Sequence, residues 1–250
     1  MDSTAGEGDP GSMAAGRSFR SNHRVDIAGI ARATWKQLTQ PTRGRQRISP
    51  AEVDSLIGDL ATIVRLAGQL MTNASVALHQ ADLKFAELVI SEADEIKVRC
   101  EDADERCRNL LILRSVTTDV HMVVAAMHAV KDLQRMCNLA QHIAEIARLK
   151  HPIEPIPADV RPVSLRMGVL ASSLAENAAA AIESRDPISA ARLAQVDDEV
   201  DALRRQIFQV LLSEDWSHGV EPAVDAALIG RYYERFADHA VAIARHVTSS

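Results

Sequence analysis

Two pairs of carboxylates in the C-terminal half have a spacing with chemical consequences: Asp197 with Asp201, and Glu234 with Asp238. On a helix, residues four apart share a face, and hard cations favour oxygen ligands of this kind. Like charges at that spacing cost an isolated helix about 0.2–0.5 kcal/mol per pair, so two pairs invite a compensating cation. Two kinds are on offer, a divalent or iron-type metal ion and an arginine. Arg231 and Arg235 stand three residues before Glu234 and Asp238, and Arg204 and Arg205 lie about one turn after Asp201. The sequence leaves both readings open, arginine-paired or solvated acids on one side and a metal on Glu234, Asp238, Asp197 and Asp201 on the other. It predicts at most one metal site.

Other chemistries lack their residues. No Walker phosphate loop occurs among the 11 glycines, and there is no G-x-S-x-G elbow. E-x-x-H, the pattern of ferritin-like di-iron sites, is also absent. His121 and His128 stand seven apart, with Asp132 four beyond His128 and His142 further on. They read as half-buried histidines bonded to neighbours more than as ligands. Cys100, Cys107 and Cys137 form no C-x-x-C and read as small core residues. No nucleophile–base arrangement stands out, so the chain is expected not to be an enzyme.

The elements that must carry these side chains are helices. Leu56, Leu60, Ile63, Ala67, Leu70, Ala74 and Ala77 alternate steps of four and three, and Ile57, Val64, Met71 and Leu78 run beside them. A double seam of this kind is buried against two neighbours. Residues 51–151 contain no proline, and further helices are expected over 84–112, 116–149, 163–184, 187–213 and 221–248. Ser49-Pro50-Ala51-Glu52 and Asp186-Pro187 read as caps followed by a first-turn proline, and Pro222 after Gly219 and Glu221 follows the same logic. Four prolines between 152 and 162 make a connector. Residues 1–24, rich in Gly, Ser and charge, read as a disordered tail.

Two halves emerge. Asp82 and Asp94-Glu95-Ile96 repeat as Asp186 and Asp198-Glu199-Val200. Arg135, Ala140, Ile143 and Ala144 repeat as Arg235, Ala240, Ile243 and Ala244. The expected organisation is an N-terminal extension over 1–48, disordered or partly helical, a three-helix bundle over 49–150, a connector over 151–162 and a second bundle over 163–250. The fold class is therefore all-α, a tandem pair of antiparallel three-helix bundles.

Composition agrees. The chain has 250 residues, 47% apolar and only 3% aromatic, with nine prolines and a net charge of −6. Few aromatics and few turns disfavour a β-sandwich or barrel. An acidic balance argues against nucleic-acid binding. Residues 1–50, with eight Lys or Arg against four Asp or Glu, form a basic head on the acidic remainder. No apolar run approaches the roughly 18 residues a membrane span needs. With no apolar signal core in the first 30 residues and three cysteines, the expected place is the cytoplasm.

The segment Tyr233-Glu234-Arg235-Phe236-Ala237-Asp238-His239-Ala240 resembles the ERxxDHA signature on the last helix of PhoU proteins. Its first-half counterpart is Leu133-Gln134-Arg135-Met136-Cys137-Asn138-Leu139-Ala140. Ala81-Asp82-Leu83, Asp197-Asp198-Glu199-Val200-Asp201 and Asp215-Trp216-Ser217-His218-Gly219-Val220 extend the likeness, which runs over about 49–248 and is nearest to actinobacterial members. The resemblance implies a regulator of phosphate homeostasis. Such a protein couples a phosphate ABC transporter, through its ATPase subunit, to a sensor histidine kinase, and represses the phosphate-starvation response when phosphate is plentiful. It also implies a cytoplasmic homodimer, peripheral to the membrane through its partners, and metal held on E/DxxxD motifs. Here Gln134 and Asn138 replace one acidic pair of the first half, and Ala93 and Lys97 the other, so a first-half metal site is not expected. Regulation of another ion or phosphate transporter, and metal-dependent catalysis at the four acids, are the alternatives.

Overall fold

The computed structural model describes residues 50–112 and 119–249. They form six helices, α1 (Pro50–Gln80), α2 (Leu83–Ile112), α3 (Asp119–Lys150), α4 (Arg161–Ser184), α5 (Pro187–Leu211) and α6 (Val220–Thr248). The all-α expectation holds. The reading of residues 1–48, and Ser49 as a cap, fall outside the described residues.

The local signals act where they stand. Asp186 caps α5, its carboxylate accepting from the backbone N–H of Ile188 at 2.9 Å and of Ser189 at 3.2 Å. Asp82 does the same for α2, accepting from Phe85 N–H at 3.0 Å. Each aspartate follows a residue in the left-handed region, Ala81 at φ 48° and Arg185 at φ 51°. The repeat thus reproduces the same turn, a left-handed residue closing one helix and an aspartate opening the next.

Pro162 departs from expectation. It lies in the first turn of α4, which starts at Arg161 and not after the connector's last proline. A first-turn N–H has no intrahelical partner, so its loss there costs nothing. The connector before it is anchored by buried Pro155, Ile156 and Val160.

Helices α1–α3 pack on one another, as do α4–α6, and the two groups meet along two seams, α1 on α4 and α3 on α6. Both seams are antiparallel. Along the first, Asp54 pairs with Arg185, Arg65 with Glu183 at 2.5 Å and Glu176 at 3.0 Å, and His79 faces Ser164. Along the second, His128 stacks on His246, His142 lies against Tyr232, and Lys150 pairs with Asp225 at 2.8 Å. Close approach at the first seam requires glycine. A Cβ on Gly168 would stand 2.5 Å from Ser75 Oγ, and one on Gly68 3.0 Å from Ala175 Cβ.

The buried side chains of all six helices form one continuous apolar cluster within a single compact unit, Arg45–Ser250. Leu56, Leu60, Leu70 and Met71 of the α1 seam are at its centre with Leu133, Met136, Phe236 and Tyr233. Both stripes of the predicted double seam of α1 are buried in this core, and α1 packs against α2, α3 and α4. Cys100, Cys107 and Cys137 are buried core thiols, as expected.

Candidate functional site

The four predicted acids come together on facing sides of α5 and α6. Asp197 and Asp201 lie one turn apart on α5, half-buried, while Glu234 is buried and Asp238 exposed on α6. Asp197 feels them all. Its own burial, and then the charges of Asp238, Asp201, Asp198 and Glu234, push its carboxyl up to about 6.

Glu234 has a different fate. Its Oε2 accepts a short hydrogen bond from Arg231 Nη1, and Arg204 Nε of α5 lies 3.6 Å from Oε1. The second contact is too long for a hydrogen bond, yet it sets a guanidinium against the remaining oxygen. Arg204 is held there by stacking its guanidinium over Phe208, 5.7 Å from the ring centre. Arginine therefore supplies the compensation at Glu234. Among the described residues the arginine ion pairs that reach an acid of α5 or α6 end on Glu234 and Glu199, not on Asp197, Asp201 or Asp238.

As donors for a metal, then, the four are unequal. Glu234 does not fit the role, since both oxygens face guanidinium groups. Asp197, Asp201 and Asp238 fit by charge but not by distance. Among the described residues no three His, Cys, Asp or Glu side chains converge closely enough to hold an ion.

The equivalent place in the first bundle is neutralised within the chain. Ala93 is buried in the core, and Lys97 Nζ donates to Gln141 Oε1 at 2.5 Å and to Asp94 Oδ1 at 3.1 Å. A cation of the protein already occupies the interhelical face that the acids hold in the second bundle.

Residues not singled out as a group in the sequence meet at the α3–α6 seam. His239 Nδ1 lies 3.1 Å from Asp132 Oδ1, which also accepts from Arg135 at 3.1 Å, and His246 Nε2 stands 3.9 Å from Oδ2. Burial opposes ionisation of Asp132, but the His239 hydrogen bond and the charges of His239, Arg135 and His246 outweigh it and hold the carboxyl below its ordinary range. His128 and Asp132, one turn apart, were visible in sequence, and so was His239 inside its motif. Their partnership across two helices was not. His142 is bonded to a neighbour as read, with Nδ1 3.0 Å from Glu145 Oε2, but His121, His128 and His142 are exposed and not half-buried.

The PhoU domain family matches the chain over residues 60–147 and 164–247, once in each bundle. The chain belongs to the PhoU family. The Mycobacterium tuberculosis phosphate-specific transport system accessory protein PhoU homolog 2 is 42% identical over 197 residues, 78% of this chain and 92% of that relative. PhoU homolog 1 of Mycobacterium leprae is 41% identical over 197 residues, 78% of this chain and 89% of its own length. In fold, a crystal structure of PhoU from Pseudomonas aeruginosa superposes with a TM-score of 0.70 over 79% of this chain and 95% of that one, at 24% identity. The first matched segment starts at residue 60 and the second ends at 247, so the family accounts for the paired bundles. Among the described residues no helix is long and apolar enough to cross a membrane.

Proposed function

We propose that this chain is a regulatory adaptor of phosphate homeostasis and not an enzyme. It couples a phosphate ABC transporter, through its ATPase subunit, to a sensor histidine kinase in the cytoplasm, and holds the phosphate-starvation response off when phosphate is plentiful. The observation that carries the reading is the family match in both bundles, joined to relatives named as phosphate-specific transport accessory proteins. The site supports it by its chemistry: the acids lie between helices with no activated nucleophile beside them, an arrangement suited to holding charge and not to turnover. Long amphipathic helices give such a protein its docking faces. The test is affinity capture of the full chain from phosphate-replete cells. Recovery of a histidine kinase or a phosphate-transporter subunit is expected. Recovery of neither refutes the coupling.

The uncompensated charge around Asp197 favours a second element of the same function. We infer that Asp197, Asp201 and Asp238, too far apart in this structure to ligate an ion together, draw in around one divalent or iron-type cation when it is supplied, with Glu234 left to its arginines. Dialysis against manganese, zinc or iron followed by elemental analysis is expected to give no more than one equivalent per chain, lost in Asp197→Asn with Asp201→Asn. No bound metal, two equivalents, or one that survives both substitutions refutes the assignment.

A further inference from the structure

On the outer side of the α1–α4 seam runs a trough of about 310 Å³, walled by Thr72, Val76 and His79 of α1 and by Leu165, Val169 and Ser172 of α4. It belongs to neither acid pair nor to the signature motif. Its walls are apolar and yet open: Leu165 is 42% and Val169 60% exposed. Because the two helices run antiparallel, His79 and Leu165 mark one end, and Thr72 and Ser172 the other.

The His79 end is where the polar chemistry gathers. His79 Nε2 lies 3.3 Å from Ser164 Oγ, and its Nδ1 is buried with no hydrogen-bond partner. Ser164 is itself buried next to the Tyr233 hydroxyl, which donates to Ser75 Oγ at 3.0 Å. Burial, with the Arg161 charge added, lowers the imidazole to about 4, so at neutral pH it is uncharged. The Ser164 hydroxyl can donate to Nε2, and in that tautomer the single ring proton sits on Nδ1 as a donor without an acceptor. Arg161 stands one turn before Leu165 on the same face of α4. Its Nε is a second buried nitrogen without a partner, while another guanidinium nitrogen pairs with Glu154 of the connector. Buried nitrogens of this kind are rare and call for an acceptor.

An apolar trough that ends at His79, whose ring nitrogen is unanswered and which feels the Arg161 charge behind it, describes the shape and charge of its occupant. We propose that the trough binds a single-chain amphiphile with a carboxylate head, its alkyl chain along Leu165, Val169 and Val76 and its carboxylate accepting from His79 Nδ1–H beside Arg161. The volume suits a chain of about ten carbons, at the lower end of the range for ligand pockets. The site is independent of the adaptor role, and its failure would leave that role untouched.

Titration calorimetry of the full chain with decanoate at pH 7.5, below the micelle concentration, tests it. One equivalent is expected, bound at least tenfold more tightly than decyltrimethylammonium, whose head has the wrong charge. Val169→Trp, at an exposed position, fills the trough and is expected to weaken decanoate at least tenfold with the thermal transition retained. Arg161→Gln is expected to weaken decanoate several-fold and leave decan-1-ol unchanged. Absence of binding, meaning that water alone answers the two nitrogens, overturns the proposal. So does equal affinity for the cationic amphiphile, or binding unchanged by Val169→Trp. Two further outcomes also overturn it: a mass by light scattering that halves in Val169→Trp, which would make the trough a contact between copies, and co-sedimentation with phosphatidylglycerol vesicles in a chain that ignores free decanoate.

Discussion

Replacing Asp197 by asparagine should make the protein more stable, and only above a particular pH. Its carboxyl titrates near 6 in the folded chain against an ordinary 3.8, because it is half-buried and faces Asp238, Asp201, Asp198 and Glu234. The sign is the reverse of an ion-paired aspartate. Below about pH 3.8 both folded and unfolded chains carry the proton, and the residue contributes nothing. Between 3.8 and 6 the unfolded chain gives up its proton first, so stability falls as the pH rises, and above 6 the full penalty is in place. Two pH units correspond to at most about 3 kcal/mol. Partial solvent exposure screens the repulsion, which brings the expected gain for Asp197→Asn to about 1–2 kcal/mol at pH 7.5. For a helical body of this size that is a rise of roughly 2–8 °C in Tm. Urea denaturation of both proteins in chelator, at pH 4, 5, 6 and 7.5, reads it directly. The curves should coincide at pH 4 and separate through pH 6. A loss of stability at pH 7.5 in chelator, or a gap independent of pH, would refute the reasoning, because it would mean that a cation of the protein already neutralises Asp197. Adding manganese should close the gap by stabilising only the parent protein.

Other perturbations have equally defined outcomes. Tyr233→Phe removes the hydrogen bond to Ser75 in a fully buried place and should lower stability by about 1 kcal/mol in chemical denaturation. Gly168→Ala puts a methyl 2.5 Å from Ser75 Oγ and should cost about 1–3 kcal/mol, with much of the loss recovered in a background of Ser75→Ala, so the two are not additive. Asp132→Asn should destabilise the chain at pH 6 by about 1–3 kcal/mol through the loss of the His239 and Arg135 contacts. Because the folded carboxyl of Asp132 is depressed below 3.8, that deficit should shrink as the pH falls through the folded value, which thermal melts from pH 6 down to pH 3 would show.

The two seams give these perturbations their reach. Tyr233 belongs to the second bundle but donates to Ser75 of the first, and Asp132 of the first is held by His239 of the second. The repeats share one core. A change at either seam is therefore felt in both halves.

What the sequence determined by itself was local. Helix starts at Pro50, Pro187 and Val220, the aspartate caps at Asp82 and Asp186, and the α1 seam all depend on residues within one or two turns, where backbone hydrogen bonding and helical period dictate the outcome. The four acids were legible for the same reason, since i,i+4 spacing places each pair on one face whatever surrounds the helix. Pro162 departs from expectation because proline reads alike as the end of a connector and as the first turn of a helix. Only the tertiary structure decided how charge is compensated. Arg204 reaches Glu234 from another helix, Asp197 is left facing its own kind, and Lys97 and Gln141 occupy the matching face of the first bundle. The trough beside His79 and the Asp132–His239 pair exist only where two helices distant in sequence meet. Burial and the distance between charges set a carboxylate's ionisation and an imidazole's unanswered donor, and both are fixed by packing between helices, which spacing along the chain does not encode.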